Sequence, residues 1–231
     1  MSIEASEPAH ALSAVRALDK SHSHDIGSPE WSWFRGGDHM LHKVFGLPVY
    51  QTTVGSHSAI REGVLAEIGK LMENPECQFE HDNSRVYSDY RLGNDPITHG
   101  YRDLLLPALR PCVEEFGNML GLKEIVFGQV WFQHYDRFSF HNTHTHWPSL
   151  FSVVYYLQFD PEQHQATTFV HPCVLQHKVY NVHNINWPQE FKPEAKEGDI
   201  VFFPGFLEHY VPMCRSDKPR TTISFNFDAK G

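Results

Sequence analysis

The sequence predicts a mainly β protein with flanking helices, built as an antiparallel barrel or jelly roll. Three observations predict it: two helix-period segments come early, six short strand-like runs bounded by turns come late, and the strands do not alternate with helices. Barrel closure also removes the sheet edges that such a run of strands would otherwise expose.

In chain order, residues 1–30 lack sustained periodicity and read as a flexible N-terminal arm, with one domain expected over 31–231. An aromatic patch follows at Trp31, Trp33 and Phe34. Residues 43–54, KVFGLPVYQTTV, are rich in β-branched and aromatic side chains and read as a strand, with Gly46 and Pro48 marking a bend. From Ser58, taken as an N-cap, Ile60, Val64, Ile68, Leu71 and Met72 recur at three and four and predict a helix with one buried face. A second helix is expected from His99 to Leu120 on the rhythm Leu105, Leu109, Val113, Phe116, Leu120, kinked or divided at Pro107 and Pro111. Beyond Gly121 come IVFGQVWFQHY, LFSVVYYLQF, ATTFVHP, HKVYNVHNINW, DIVFFPG and TTISFNF, each read as a strand.

Composition narrows the function. A net charge of −9 without a dense Lys/Arg cluster excludes a surface that tracks nucleic-acid phosphates or an anionic membrane. A small-molecule partner is expected, and a homodimer is allowed. Cys77, Cys112, Cys173 and Cys214 form no CxxC pair, so neither a zinc knuckle nor a disulfide framework is indicated. The first 28 residues lack the basic start and apolar run of a secretory signal, and no apolar run approaches the ~20 residues that cross a bilayer. A cytoplasmic location is therefore expected. Histidine is the outlier: eight of 17 fall between His134 and His183, a density that points to metal chemistry.

Within that stretch, His144 and His146 lead into an apolar strand. Side chains at i and i+2 of a strand point the same way, so the pair can offer two nitrogens to one metal. HxH alone is weak, because polar strand ends commonly carry two histidines. His209, after the strand that opens at Glu197-Gly198-Asp199, brings a third imidazole. Three ligands on one face leave positions open, as O2-activating iron(II) requires. Arg220 and Thr222 alternate onto one face of the last strand, and an arginine turned into a barrel needs an anionic partner. A dicarboxylate supplies one, held bidentately by the guanidinium and again by the hydroxyl.

Together VFGLPVY (44–50), HTHWPSLFSVVYYL (144–157), EGDIVFFPGFLEHYVP (197–212) and RTTISFNF (220–227) resemble the Fe(II)/2-oxoglutarate-dependent oxygenases, most closely their prolyl-hydroxylase-like bacterial and phage branch. The resemblance implies a double-stranded β-helix, a jelly-roll or cupin-like barrel. It also implies Fe(II) with 2-oxoglutarate as cosubstrate, and oxidation of a small metabolite or amino-acid-like substrate by hydroxylation, demethylation or desaturation. Residue by residue, it makes His144, His146 and His209 the metal ligands and catalytic residues. It makes Arg220 and Thr222 the cosubstrate clamp and matches Tyr135 and Tyr156 to tyrosines that touch 2-oxoglutarate. His146 departs from the pattern, standing where most of the superfamily has a carboxylate. The site is then one negative charge poorer, and Asp136 and Glu208 are the nearest carboxylates in sequence. His146 is not small, which disfavours the halide site of halogenases. Two other readings stand beside this one. A cupin-type three-histidine enzyme would not use 2-oxoglutarate, although the glutamate usual a few residues after HxH is missing. A non-catalytic binding barrel would keep the fold without turnover.

Substrate specificity is expected in residues 79–98, 141–149 and 176–187, with Asn83, Arg85, Tyr87 and Arg91 as available polar contacts. His141 is read as a non-ligand near the site and Trp147 as a wall of the substrate pocket. At most one of Tyr155 and Tyr156 faces that pocket.

Overall fold

The computed structural model describes residues 34–36, 39–41, 46–81, 84–93, 95–173 and 189–230. The chain divides into two compact units, Met1–Gly46 and Leu47–Gly231. In the first, β1 (Phe34–Gly36) pairs antiparallel with β2 (His39–Leu41). The expected arm over residues 1–30, Trp31, Trp33 and the strand expected at 177–187 lie outside the described residues.

The second unit holds β3 (Tyr50–Thr53), α1 (His57–Met72), β4 (Gln78–His81), β5 (Ser84–Tyr87), α2 (His99–Met119), β6 (Glu124–Tyr135), β7 (His141–His144) and β8 (Phe151–Gln158). It continues with β9 (Thr168–Val170), β10 (Glu190–Phe191), β11 (Asp199–Pro204), β12 (His209–Val211) and β13 (Arg220–Lys230). Seven strands form a major sheet in the order β3-β11-β8-β13-β6-β5-β4, and four form a minor sheet, β10-β9-β12-β7. This is the expected mainly β jelly roll with helices on one side. The two sheets remain separately hydrogen-bonded and are not joined into one closed barrel.

Two cores explain the strand patterns. On the outer face of the major sheet, Val64 and Ile68 of α1 and Leu105, Leu109, Val113 and Phe116 of α2 pack on Val153, Tyr155, Ile200, Phe202, Phe225 and Phe227. On the inner face, Val154, Tyr156, Val201 and Phe203 meet Phe169 and Leu207, with Phe169 edge-on to Phe203 at 4.8 Å. β8 lies between β11 and β13 and is covered on both faces, so it reads as an uninterrupted apolar run rather than an alternation.

Three expectations shift. Of the strand expected over 43–54, residues 43–45 lie outside the described residues, and the rest narrows to Tyr50–Thr53. α1 begins at His57, and Ser58 falls inside its first turn; Ser56 occupies the cap without a side-chain bond. The start is held instead by tertiary contacts: His57 Nδ1 lies 2.6 Å from the Tyr155 hydroxyl, and Arg61 donates to Glu197 at 2.8 Å. α2 runs undivided through Pro107 and Pro111, because both sit on its exposed face, where the carbonyls deprived of a donor can meet water. Its last expected core residue, Leu120, is exposed.

Candidate metal centre

His144 ends β7 and His209 begins β12, and the two are register partners on adjacent strands, with ring centroids 4.3 Å apart. His209 therefore reaches His144 as a neighbour within the minor sheet, not from a facing sheet. His146 lies past the end of β7, so strand alternation does not align it with His144. A loop contact places it instead: the His146 N–H donates to Gly205 O at 2.7 Å, and the Gly205 N–H donates to Leu150 O at 3.0 Å. A side chain at 205 would collide with the Ser149 carbonyl oxygen, so glycine is what permits this approach. The three imidazoles present ligand atoms that all lie within 4.8 Å of one another.

Hydrogen bonding selects which nitrogens face inward. His209 Nδ1 lies 2.9 Å from Leu207 O and His144 Nδ1 lies 2.8 Å from Asn142 O. A carbonyl only accepts, so these bonds put the proton on Nδ1 and leave Nε2 as the lone-pair donor. Burial pushes the His209 imidazole down to about 3, with the neighbouring imidazoles adding to the effect of burial. Burial, then His144 and His141, hold His146 at about 3 as well. Both are neutral at physiological pH, the state in which imidazole binds a metal. Neither carboxylate considered as a substitute joins the group. Asp136 lies beside His134, at 3.5 Å, and the Glu208 side chain is exposed.

At the start of β13, the Arg220 side chain is 2 % exposed. It donates to Gln165 O at 2.8 Å and Thr167 Oγ1 at 3.2 Å, and its Nε has no partner. Tyr135, Tyr156 and Phe159 surround the guanidinium with ring centroids at 5.3, 5.6 and 5.7 Å. Among the described residues no carboxylate is in ion-pair reach of it. The Tyr135 hydroxyl is also buried without a partner, and burial raises its pKa against the pull of Arg220. Thr222, one inward step along β13, is buried at 1 %. Tyr156 turns its hydroxyl to this side and accepts from Thr167 N at 3.1 Å, while Tyr155 faces α1. Thr167 stands two residues before Phe169, the register partner of His209, so the arginine and the imidazoles border the same short strand.

These features meet what a divalent metal and a dicarboxylate need: three neutral nitrogen donors, and a buried cation with an unpartnered donor and an unpartnered hydroxyl beside it.

His141 stands beside the site as expected, and Trp131 is a neighbour that no motif marks. Trp131 is buried with its ring 5.5 Å from His146, and His141 packs against His144 at 4.1 Å. Trp147, expected to wall the pocket, is 78 % exposed. Asp89 is fully buried and accepts from Tyr101 Oη, Arg102 Nη2 and the Phe132 N–H at 2.7, 2.9 and 2.9 Å, although no motif marks it. Of the polar contacts expected over 79–98, Arg85 and Arg91 are exposed, Tyr87 packs on His134, and Asn83 lies outside the described residues. The residues of this region that do line the cavity beside the imidazoles are Val86, Ser88 and Tyr90.

Residues 129–226 match the family described as "Putative 2OG-Fe(II) oxygenase". A search of curated proteins finds no match. Among solved structures, a Pseudomonas putida prolyl-4-hydroxylase is similar at 15% identity and TM-score 0.54, over 80% of this chain and 94% of that one. The α-ketoglutarate-dependent epimerase SnoN from nogalamycin biosynthesis is similar at 15% identity and TM-score 0.59, over 78% and 77%. HygX from Streptomyces hygroscopicus, crystallised with nickel, 2-oxoglutarate and hygromycin B, is similar at 13% identity and TM-score 0.53, over 79% and 83%. At these identities the structural likeness carries the fold alone, and the pointer to the chemistry is the family match over residues 129–226. Residues 129–226 are thus similar to the Fe(II)/2-oxoglutarate oxygenases, enzymes whose cofactors are iron(II) and 2-oxoglutarate. No described helix is long and apolar enough to cross a membrane.

Proposed function

We propose that this oxygenase hydroxylates a small metabolite, with His144, His146 and His209 holding the iron and Arg220, Thr222, Tyr135 and Tyr156 holding 2-oxoglutarate. Residues 31–231 form the oxygenase domain in this reading, with 1–30 as an arm. The observation that carries it is the buried Arg220 with, among the described residues, no carboxylate in reach, its own Nε unpartnered and the unpartnered Tyr135 hydroxyl beside it. A charge so enclosed is costly unless an anion arrives, and a guanidinium takes a carboxylate bidentately. The same observation sets this reading above a three-histidine enzyme that does not use 2-oxoglutarate, which would have no use for the arginine.

Bound iron(II) and 2-oxoglutarate supply the oxidising power from O2, with succinate and CO2 released. The chain's own residues do the placing. Leu207 O and Asn142 O lock the His209 and His144 rings with Nε2 inward, and the Gly205 contact fixes His146. Arg220 and Tyr135 position the distal carboxylate, and the rings of Tyr156 and Phe159 exclude water from it. Thr222 adds a hydroxyl on the same inner face.

The test is succinate release and metal retention in purified protein. His209→Ala is expected to lose the metal and all iron-dependent succinate formation. His146→Asp is expected to bind iron more tightly and keep succinate formation, because a carboxylate adds the missing negative charge. Succinate formation by His209→Ala at the wild-type rate would overturn the assignment.

A further inference from the structure

Beside the imidazoles, on the side lined by β5, the turn after it and β6, is a chamber of about 220 Å3. His144 and His146 close one end, and Val86, Ser88, Tyr90, Trp131 and Gln133 form its walls. Arg220, Thr222, Tyr135 and Tyr156 are not among the residues that line it. Resting on the oxygenase reading above, we propose that this chamber receives the reacting part of the substrate as an uncharged, hydroxyl-bearing six-membered ring held by Tyr90 and Trp131.

Charge is the first argument. Among the described residues no Asp, Glu, Lys or Arg lines the chamber, so away from the end lined by His141, His144 and His146, where the metal's charge would sit, a carboxylate, phosphate or ammonium loses water and gains no counter-charge from a side chain. An amino-acid headgroup, allowed by the sequence, is thereby disfavoured. Shape is the second. Tyr90 and Trp131 meet edge to face, with centroids 5.2 Å apart and planes at 79°, a corner of two aromatic surfaces into which a ring fits. A cavity of about 150 Å3 suffices for benzene, and drug-sized ligands need about 300 Å3 or more, so this one suits a single substituted ring.

Polarity is the third. Gln133 Oε1 accepts from Ser224 Oγ at 3.3 Å, which leaves its amide N–H groups to donate. Ser88 Oγ accepts from the Tyr90 N–H at 3.2 Å, which leaves its own hydrogen to donate. Both suit hydroxyl oxygens on the ring. The wall is also rigid. Asp89, between Ser88 and Tyr90, is tied to Tyr101 and Arg102 of α2 and to the Phe132 N–H of β6, so the corner is assembled before any ligand enters.

The experiment is calorimetric binding to the full chain loaded with zinc(II) and 2-oxoglutarate, so that no turnover intervenes. The probes are methyl β-D-glucopyranoside and 4-hydroxybenzyl alcohol, each against its charged counterpart, glucose 6-phosphate and 4-hydroxybenzoate. At least one neutral probe is expected to bind about tenfold or more tighter than its charged counterpart, and which one does separates a sugar source from a phenolic one. Tyr90 is half exposed and tolerates truncation. Tyr90→Ala is expected to weaken that probe roughly fivefold, with Tyr90→Phe restoring it. Equal or tighter binding of the charged counterparts, an unchanged affinity in Tyr90→Ala, or no binding of either neutral probe would overturn the proposal. The titration of 2-oxoglutarate into the zinc protein is read separately. If it fails while a neutral ring binds, the oxygenase reading falls and the chamber stands; if it succeeds while the rings fail, the reverse holds.

Discussion

Arg102 and Arg220 are both buried, at 6 % and 2 % exposure, yet their surroundings are opposite. Arg102 lies under α2 against the outer face of the major sheet and meets Asp89 at 2.9 Å, with Tyr101 and the Phe132 N–H on the same carboxylate. Burial raises the Asp89 carboxyl, and Tyr101, Phe132 and Arg102 pull against that rise. Arg220 lies on the inner face among aromatic rings, with a carbonyl and a hydroxyl and, among the described residues, no carboxylate. A buried charge that folding itself compensates is part of the scaffold. One that folding leaves uncompensated is kept for something that arrives later.

The comparison breaks most directly at Asp89. Removing it in Asp89→Ala strands Arg102 and is expected to cost about 3 to 5 kcal/mol of folding stability, measured by denaturant unfolding. A loss below 1 kcal/mol would mean that the outer pair is no scaffold. On the inner face the opposite split is expected. Arg220→Met should change folding stability by no more than about 1 kcal/mol while weakening 2-oxoglutarate roughly 100-fold. Equal losses in both measurements would make the two arginines alike.

The pH dependence of the metal-free protein sharpens the contrast further. His146 and His209 sit at about 3 when folded, against 6.5 when exposed. Between those values the unfolded chain binds more protons, so stability rises with pH there and is lost as pH falls from about 6.5 towards 3. Denaturation midpoints at pH 7 and pH 4.5 should show the drop, and His146→Gln should make it shallower. The smallest effect is at the surface. Arg137 and Asp217 pair at 3.0 Å but are half exposed and fully open respectively, and Arg137→Ala should leave the midpoint unmoved.

Much of the fold was legible because local pattern reports burial. The helical rhythm of Val64, Ile68 and Leu71, and of Leu105, Leu109 and Phe116, appears as the buried faces of α1 and α2. The triad was legible as three histidines at suggestive spacings, but the reason given for His146 differs from the structure. Strand alternation does not place it; a backbone contact to Gly205, 59 residues further on, does. Tyr90 and Trp131 were not legible as a pair beside the centre, because neither sits in a spacing that marks a site.

By itself, the sequence determined the class of fold and placed both helices and the long strands β6, β8, β11 and β13 to within a few residues, and it singled out three imidazoles and an arginine as candidates. These follow from side-chain period and residue chemistry, which act over short stretches of chain. Only the tertiary structure decided that His209 lies beside His144, that Arg220 has no carboxylate among the described residues while Arg102 has one, and that Ser88, Tyr90 and Trp131 share a chamber. Those are relations between strands far apart in sequence, set by register and packing, and no local pattern encodes which distant groups a buried charge will meet.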